Sequence, residues 1–131
     1  MPTFEDVAAI ALALPETHEQ LQWGSRSWRV KNQNFVWERP LRKSDLAALG
    51  DDAPEGLILG VRTADLEAKE AQLADDPAVF FTTPHFDGYP AVLAQLELLE
   101  PDELRELILD AWLARAPKRL ADAYLAEHGE R

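Results

Sequence analysis

The chain has one His-x-Asp, His85-Phe86-Asp87, set between Pro84 and Pro90 with Gly88 and Tyr89 beside it. A histidine and a carboxylate two residues apart could give a metal two ligands, and a site would still need a third and a fourth. The other histidines, His18 and His128, complete no HxxxH or HxH spacing. The same pair could activate a hydroxyl, and Thr82 and Thr83 stand just upstream. A third reading is conformational. Pro84 and Pro90 fix φ, Asp87-Gly88 turns tightly with positive φ at Gly88, and His85 hydrogen-bonds across the loop while Phe86 or Tyr89 covers the core edge. A fourth makes Trp23, His85, Asp87 and Tyr89 the lining of a small-molecule pocket. No catalytic residue, metal ligand or cofactor is assigned.

The cations are a second candidate. From Arg26 to Lys43 there are six basic residues, Arg26, Arg29, Lys31, Arg39, Arg42 and Lys43, against Glu38 alone. That segment carries +5 in a chain of net charge −11, leaving −16 elsewhere. Such a row could grip DNA phosphates, with binding falling steeply as salt rises. It could equally neutralise the acidic helices through surface ion pairs worth under about 1 kcal/mol each. Arg115, Lys118 and Arg119 repeat the choice near the end. They complement a helix dipole, or they join the free N–H groups of the last helix in an anion site. Trp23, Trp28, Trp37 and Trp112 could stack on bases or fill the core. Trp28 and Trp37 could pair across a hairpin.

Composition narrows the classes. The 131 residues suit one domain spanning 1–131, large enough to bury most of its apolar surface without staples. With no cysteine, disulfides, thiolate catalysis and Cys-ligated metal sites are excluded. The start, MPTFEDVAAIALALPE, lacks a basic leader and its apolar residues are broken by Glu5 and Asp6, so it reads as a helix and not a signal peptide. No apolar run reaches membrane-spanning length, and a cytoplasmic location without a membrane partner is expected.

The elements that position these residues follow from periodicity. Thr3 caps a helix whose Phe4, Val7, Ala8, Ala11 and Leu14 share a stripe, and Pro15 ends it. A polar link follows. Residues 25–31 then alternate as a strand with Trp28 and Val30 on one face, Asn32-Gln33-Asn34 turns, and 35–38 returns. Ser44–Leu49 makes a short helical turn, and Leu57–Val61 is the third strand. Thr63 caps a helix with Leu66 and Leu73 inward and Glu67, Lys69 and Glu70 solvated. Strands at 79–83 and 91–98 precede a helix opened by Pro101, with Leu104, Leu107, Ile108, Ala111 and Trp112 on its stripe. A last helix starts at Pro117. Strands grouped between helices predict an α+β fold, a two-layer sandwich of a mostly antiparallel sheet with helices on one side.

The leading helix, Trp23-Gly24, the hairpin, Phe81-Thr-Thr-Pro-His-Phe-Asp-Gly-Tyr-Pro90 and Ala114-Arg-Ala-Pro-Lys-Arg119 together resemble the MmcQ/YjbR family. The resemblance implies an α-β(3)-α-β(2)-α sandwich, here with one extra C-terminal helix, similar in topology to type III secretion chaperones. It implies no reaction, and DNA as a partner. Arg26, Arg29, Lys31, Arg39, Arg42, Lys43, Lys118 and Arg119 would then meet phosphates. Two alternatives stand beside DNA: a protein- or peptide-binding domain, as the chaperone-like topology suggests, and a small-molecule pocket around His85 and Tyr89.

Overall fold

A computed structural model describes residues 2–128; Met1 and residues 129–131 of the expected domain lie outside the described residues. Helix α1 (Phe4–Leu12) starts where expected. The Thr3 hydroxyl accepts from the Asp6 N–H at 3.4 Å, and the Asp6 carboxylate accepts from the Thr3 N–H at 2.8 Å. These reciprocal bonds satisfy two N–H groups at the helix start.

The polar link after α1 is a strand. β1 (Thr17–Gln22), β2 (Ser25–Val30) and β3 (Gln33–Glu38) form an antiparallel meander. β1 is an edge strand exposed along nearly all its length, so it needs backbone pairing with β2 but no apolar alternation. Trp23-Gly24 (φ 55° and 80°) and Lys31-Asn32 (φ 50° and 65°) are the two-residue turns. Left-handed residues at both central positions match the right-handed twist of the flanking strands. Lys31 therefore belongs to the turn and not to the strand, and the chain is already back in the ladder at Gln33.

A bulge sets the register. Trp28 faces Val36 and Arg29 faces Asn34, so Phe35 is the extra residue. It lets Phe35 and Val36 both reach the core. The expected Trp28–Trp37 pair does not form, because Trp37 lies opposite Ser27 and its ring is on the other face.

The chain continues through α2 (Lys43–Leu49), β4 (Ile58–Arg62), α3 (Leu66–Asp75), β5 (Phe80–Phe81), β6 (Ala91–Gln95), α4 (Pro101–Arg115) and α5 (Lys118–His128). All strands pair antiparallel in the order β1-β2-β3-β4-β6-β5. The fold is α+β as predicted, with β1 added at the edge and β5 and β6 shorter than expected.

Period-two alternation divides the sheet. Trp28, Val30, Val36, Leu59, Val61, Val92 and Ala94 meet α1 and the Leu104–Ile108–Ala111–Trp112 stripe of α4 in the main core. The Trp112 Nε1–H donates to the Pro15 carbonyl at 3.2 Å, tying α4 to the end of α1. The opposite face holds a smaller cluster, Ile58, Phe86, Ala91 and Leu93, with Trp37, Leu41 and Phe81 against it. Over β2 and β3 this second face stays open.

Gly60 of β4 allows Trp37 to lie flat on that face. A Cβ at Gly60 would fall 2.2 Å from Trp37 Cε2, inside any tolerable contact. Gly60→Ala should therefore tilt the indole off the sheet and cost about 1–3 kcal/mol. Chemical denaturation and the shift of the Trp37 indole N–H signal would check both parts.

Candidate functional site

The open face carries a cleft of about 460 Å³. Ser25, Ser27 and Trp37 from β2 and β3 make its floor, Gln22 and Trp23 one wall, and His85, Phe86 and Tyr89 the other, with Arg39, Pro40 and Arg42 at one end. Its size falls within the range of small-molecule sites.

Phe86 builds the second wall from below. Residues Pro84–Phe86 form one 3₁₀ turn, and the Phe86 ring is buried in the smaller cluster. Gly88 has φ +76°, as its place after Asp87 predicts. Among the described residues His85 makes no hydrogen bond across the loop; its ring is exposed and meets Phe86 edge-on at 4.9 Å. The bracing comes from Lys69 of α3, whose Nζ donates to the Phe86 carbonyl at 2.5 Å and the Tyr89 carbonyl at 2.8 Å.

Lys69 was expected in solvent, yet it is 7% exposed while Leu66 is 48% exposed. The helix begins from an Asp65 cap rather than Thr63: Asp65 Oδ1 accepts from the Ala68 N–H at 2.8 Å. Burial pushes the Lys69 ammonium below its ordinary pKa, opposed by the charge of Asp87. Asp87 thus serves Lys69 and is absent from the cleft lining, whereas Trp23, His85 and Tyr89 line it.

A second buried cation holds the cleft's end. Arg39 is 6% exposed, and its Nη2 lies 3.1 Å from Asp45 Oδ2. The guanidinium also donates to the Pro40 carbonyl at 2.6 Å and stands 5.2 Å over the Phe86 ring. Asp45 accepts from the Arg42 N–H at 2.8 Å, fixing the start of α2. Burial alone would raise the Asp45 pKa; the Arg42 N–H, the Arg39 charge and the Thr83 hydroxyl outweigh it and hold the carboxyl below its usual value.

Five of the eight cations expected on DNA, Arg39 among them, are engaged with other partners. Arg26 bonds Glu19 and Glu5 and lies 5.2 Å over Trp28. Arg29 donates to Gln22, Ser27 and the Asn32 carbonyl. Lys31 pairs with Glu16, whose carboxyl is held low first by that hydrogen bond, with Arg119 adding to it. Lys118 pairs with Asp122 at 2.7 Å. Arg42 and Lys43 are exposed and enter no ion pair among the described residues, and Arg42 lines the cleft. Arg115 donates through its Nε–H to the Asn34 carbonyl at 3.3 Å. Among the described residues no three His, Asp or Glu side chains gather as metal ligands, and no helix is long and apolar enough to cross a membrane.

Trp23 is the most unusual member of the lining. It is 89% exposed and occupies a left-handed turn position. That conformation costs a residue with a Cβ roughly 1–2 kcal/mol, and so exposed a ring recovers little of it by packing.

Residues 12–114 match the YjbR family model. The chain belongs to the YjbR family. The resemblance to the MmcQ/YjbR family is thereby borne out, and the Pro-His-Phe-Asp-Gly-Tyr block lies within the matched residues. YjbR relatives include the uncharacterized protein Rv2570 of Mycobacterium tuberculosis and the uncharacterized protein Mb2600 of Mycobacterium bovis. Each is 52% identical over 132 residues, covering 98% of this chain and 100% of the relative. The crystal structure of Deinococcus radiodurans protein DR2400, a DUF419 domain, shares the fold with a TM-score of 0.68 and 19% identity, over 100% of this chain and 91% of that one.

Of the cleft residues, Phe86 could have been placed by the turn around it, whereas alternation counted from Phe35 puts Trp37 on the core face and only the bulge moves it to the cleft. Lys69 had a signal too, since it shares a helical stripe with Leu66 and Leu73.

Asp45→Asn leaves the buried Arg39 without its counter-charge and should destabilise the protein at neutral pH by about 3–5 kcal/mol. A carboxyl with a lowered folded pKa contributes stability that is present above its unfolded value, about 3.9, and lost as pH falls through the folded one. The gap between wild type and Asp45→Asn should therefore narrow below about pH 4 in denaturant titrations.

Proposed function

We propose that this YjbR domain is a binding module and not an enzyme, and that its ligand site is the open-face cleft. The ligand class that fits is small, planar and anionic. Trp23 carries the reading: a bulky ring held almost wholly in solvent, at a backbone position that disfavours it, beside a formed cleft. Conformational strain of this kind concentrates at binding and catalytic sites. Trp37, Tyr89 and His85 offer further ring faces, and Arg42 offers a guanidinium in no ion pair among the described residues for a carboxylate or phosphate. His85 and Asp87 do not meet over the cleft, so the pair supplies no acid–base couple there.

DNA, the partner that the family resemblance implies, has less support as a duplex gripped by the cation row. Arg26, Lys31, Arg39 and Lys118 are already in ion pairs, and a net charge of −11 repels a polyanion at long range. A protein or peptide partner finds an edge in β1, whose side chains are exposed along nearly all its length.

The test is an NMR titration of the full chain with a set of aromatic carboxylates and phosphates, alongside a DNA duplex. Saturable shifts of the Trp23 and Trp37 indole signals are expected, weakened at least about tenfold in Trp23→Asn, which removes one stacking ring. That variant creates Asn-Gly, the preferred pair for this turn, and should keep or raise stability by up to about 1 kcal/mol. Shifts confined to surfaces outside the cleft, or a duplex that binds more tightly than every small anion, would overturn the proposal.

A further inference from the structure

The sheet has two edges. β5 is two residues long, whereas β1 presents six, all but Thr17 exposed. The Trp23-Gly24 turn fixes which backbone groups of β1 are free. Gln22 faces Ser25 across that two-residue turn, so Gln22, Gln20 and His18 direct N–H and C=O towards β2. The Ser27 hydroxyl reaches the Gln20 carbonyl from the same side at 3.2 Å. Thr17, Glu19 and Leu21 therefore turn theirs outward, and among the described residues no strand receives them. Edge strands are commonly guarded by proline, lysine or a bulge. THEQLQ has neither residue, and its register with β2 is unbroken. Leu21 adds an apolar side chain that is 68% exposed.

We propose that β1 pairs antiparallel with β1 of a second copy of this chain, about a two-fold axis at Gln20. Outward residues must face one another in such a ladder, which leaves few registers. An axis at Glu19 sets two carboxylates directly opposite, an unfavourable pair. One at His18 leaves Leu21 opposite Pro15, which has no N–H. One at Leu21 brings Glu19 against Trp23, whose φ of 55° has left the strand. With the axis at Gln20, Glu19 faces Leu21 of the partner subunit and Leu21 faces its Glu19, completing two hydrogen-bonded pairs. The Gln20 amides meet across the axis, each able to donate and accept, and the Leu21 side chains come within diagonal reach. Charge favours a like copy. In a chain of net charge −11, residues 17–30 hold Glu19 against Arg26 and Arg29, leaving −12 elsewhere, so two copies meet here without facing rows of acids. The Glu19 carboxylate is turned back on its own chain, taking bonds from Arg26 and from the Trp28 Nε1–H at 3.0 Å. The pairing also extends the cleft. His18, Gln20 and Gln22 share the open face with Ser25 and Ser27, and this register sets His18 of the partner subunit opposite Gln22 in the cleft wall.

The pairing does not depend on a ligand in the cleft, and its readouts differ. Sedimentation equilibrium of the full chain from about 10 μM to about 1 mM should show a concentration-dependent dimer, weak as small interfaces are. Leu21→Lys puts a guarding lysine on the edge and should weaken the dimer at least about tenfold. Gln20→Cys reads the register. Facing Cα atoms in this wide pair lie about 4.5 Å apart, within disulfide reach. The chain has no cysteine of its own, so mild oxidation should cross-link Gln20→Cys faster than Glu67→Cys, whose site is exposed on α3. In the wild-type protein the Glu19 and Leu21 amide protons should exchange more slowly as concentration rises. A monomer at every concentration, the result for an edge that takes a peptide of another protein, would overturn the proposal. So would a dimer that Leu21→Lys leaves intact, or a Gln20→Cys protein that cross-links no faster than Glu67→Cys.

Discussion

The anchoring of Phe86 is the constraint on which the open face depends. Its ring fills the small cluster with Ile58, Ala91 and Leu93 and lies under the Arg39 guanidinium, while its carbonyl accepts the Lys69 ammonium. Two buried cations on different elements thus converge on one residue. Each is costly to bury, and each is compensated: Arg39 by Asp45, Lys69 by two loop carbonyls and the charge of Asp87. Release of either would free the loop that makes one wall of the cleft.

The remaining geometry follows from that anchor. With Phe86 covering β4 and β6, the second face of the sheet is closed there and open over β2 and β3. Trp37 lies on Gly60 at the boundary, and the Trp23-Gly24 turn rises at the far side. The helices α1 and α4 fill the other face, so the main core and the candidate site share strands without sharing side chains. Floor residues such as Ser25 and Ser27 can therefore differ without disturbing Trp28 or Val30.

Much of this was legible in the sequence. The stripe of α4, the cap at Thr3 and the turn at Gly88 each depend on a local pattern, and each is where the pattern placed it. β1 was hidden because an exposed edge strand needs only backbone partners, which THEQLQ does not advertise. The bulge at Phe35 was hidden for a related reason: one extra residue changes which face every later side chain meets. It separated Trp28 from Trp37. The burial of Lys69 runs against its charge, and beyond its place on the Leu66–Leu73 stripe a carbonyl-lined seat for an ammonium leaves no mark in local sequence. The cation row was visible as a row, but its acids come from α1, β1, the α1–β1 link and α2, which only the fold brings close.

Buried cations hold residues 84–90 as a preformed wall of the cleft. Backbone relaxation of the free protein measures this directly. Order parameters near 0.85 at Phe86 and Tyr89, equal to those of the neighbouring strands, are predicted. Values below about 0.6 would contradict the account, because a wall that mobile is not formed before the ligand arrives.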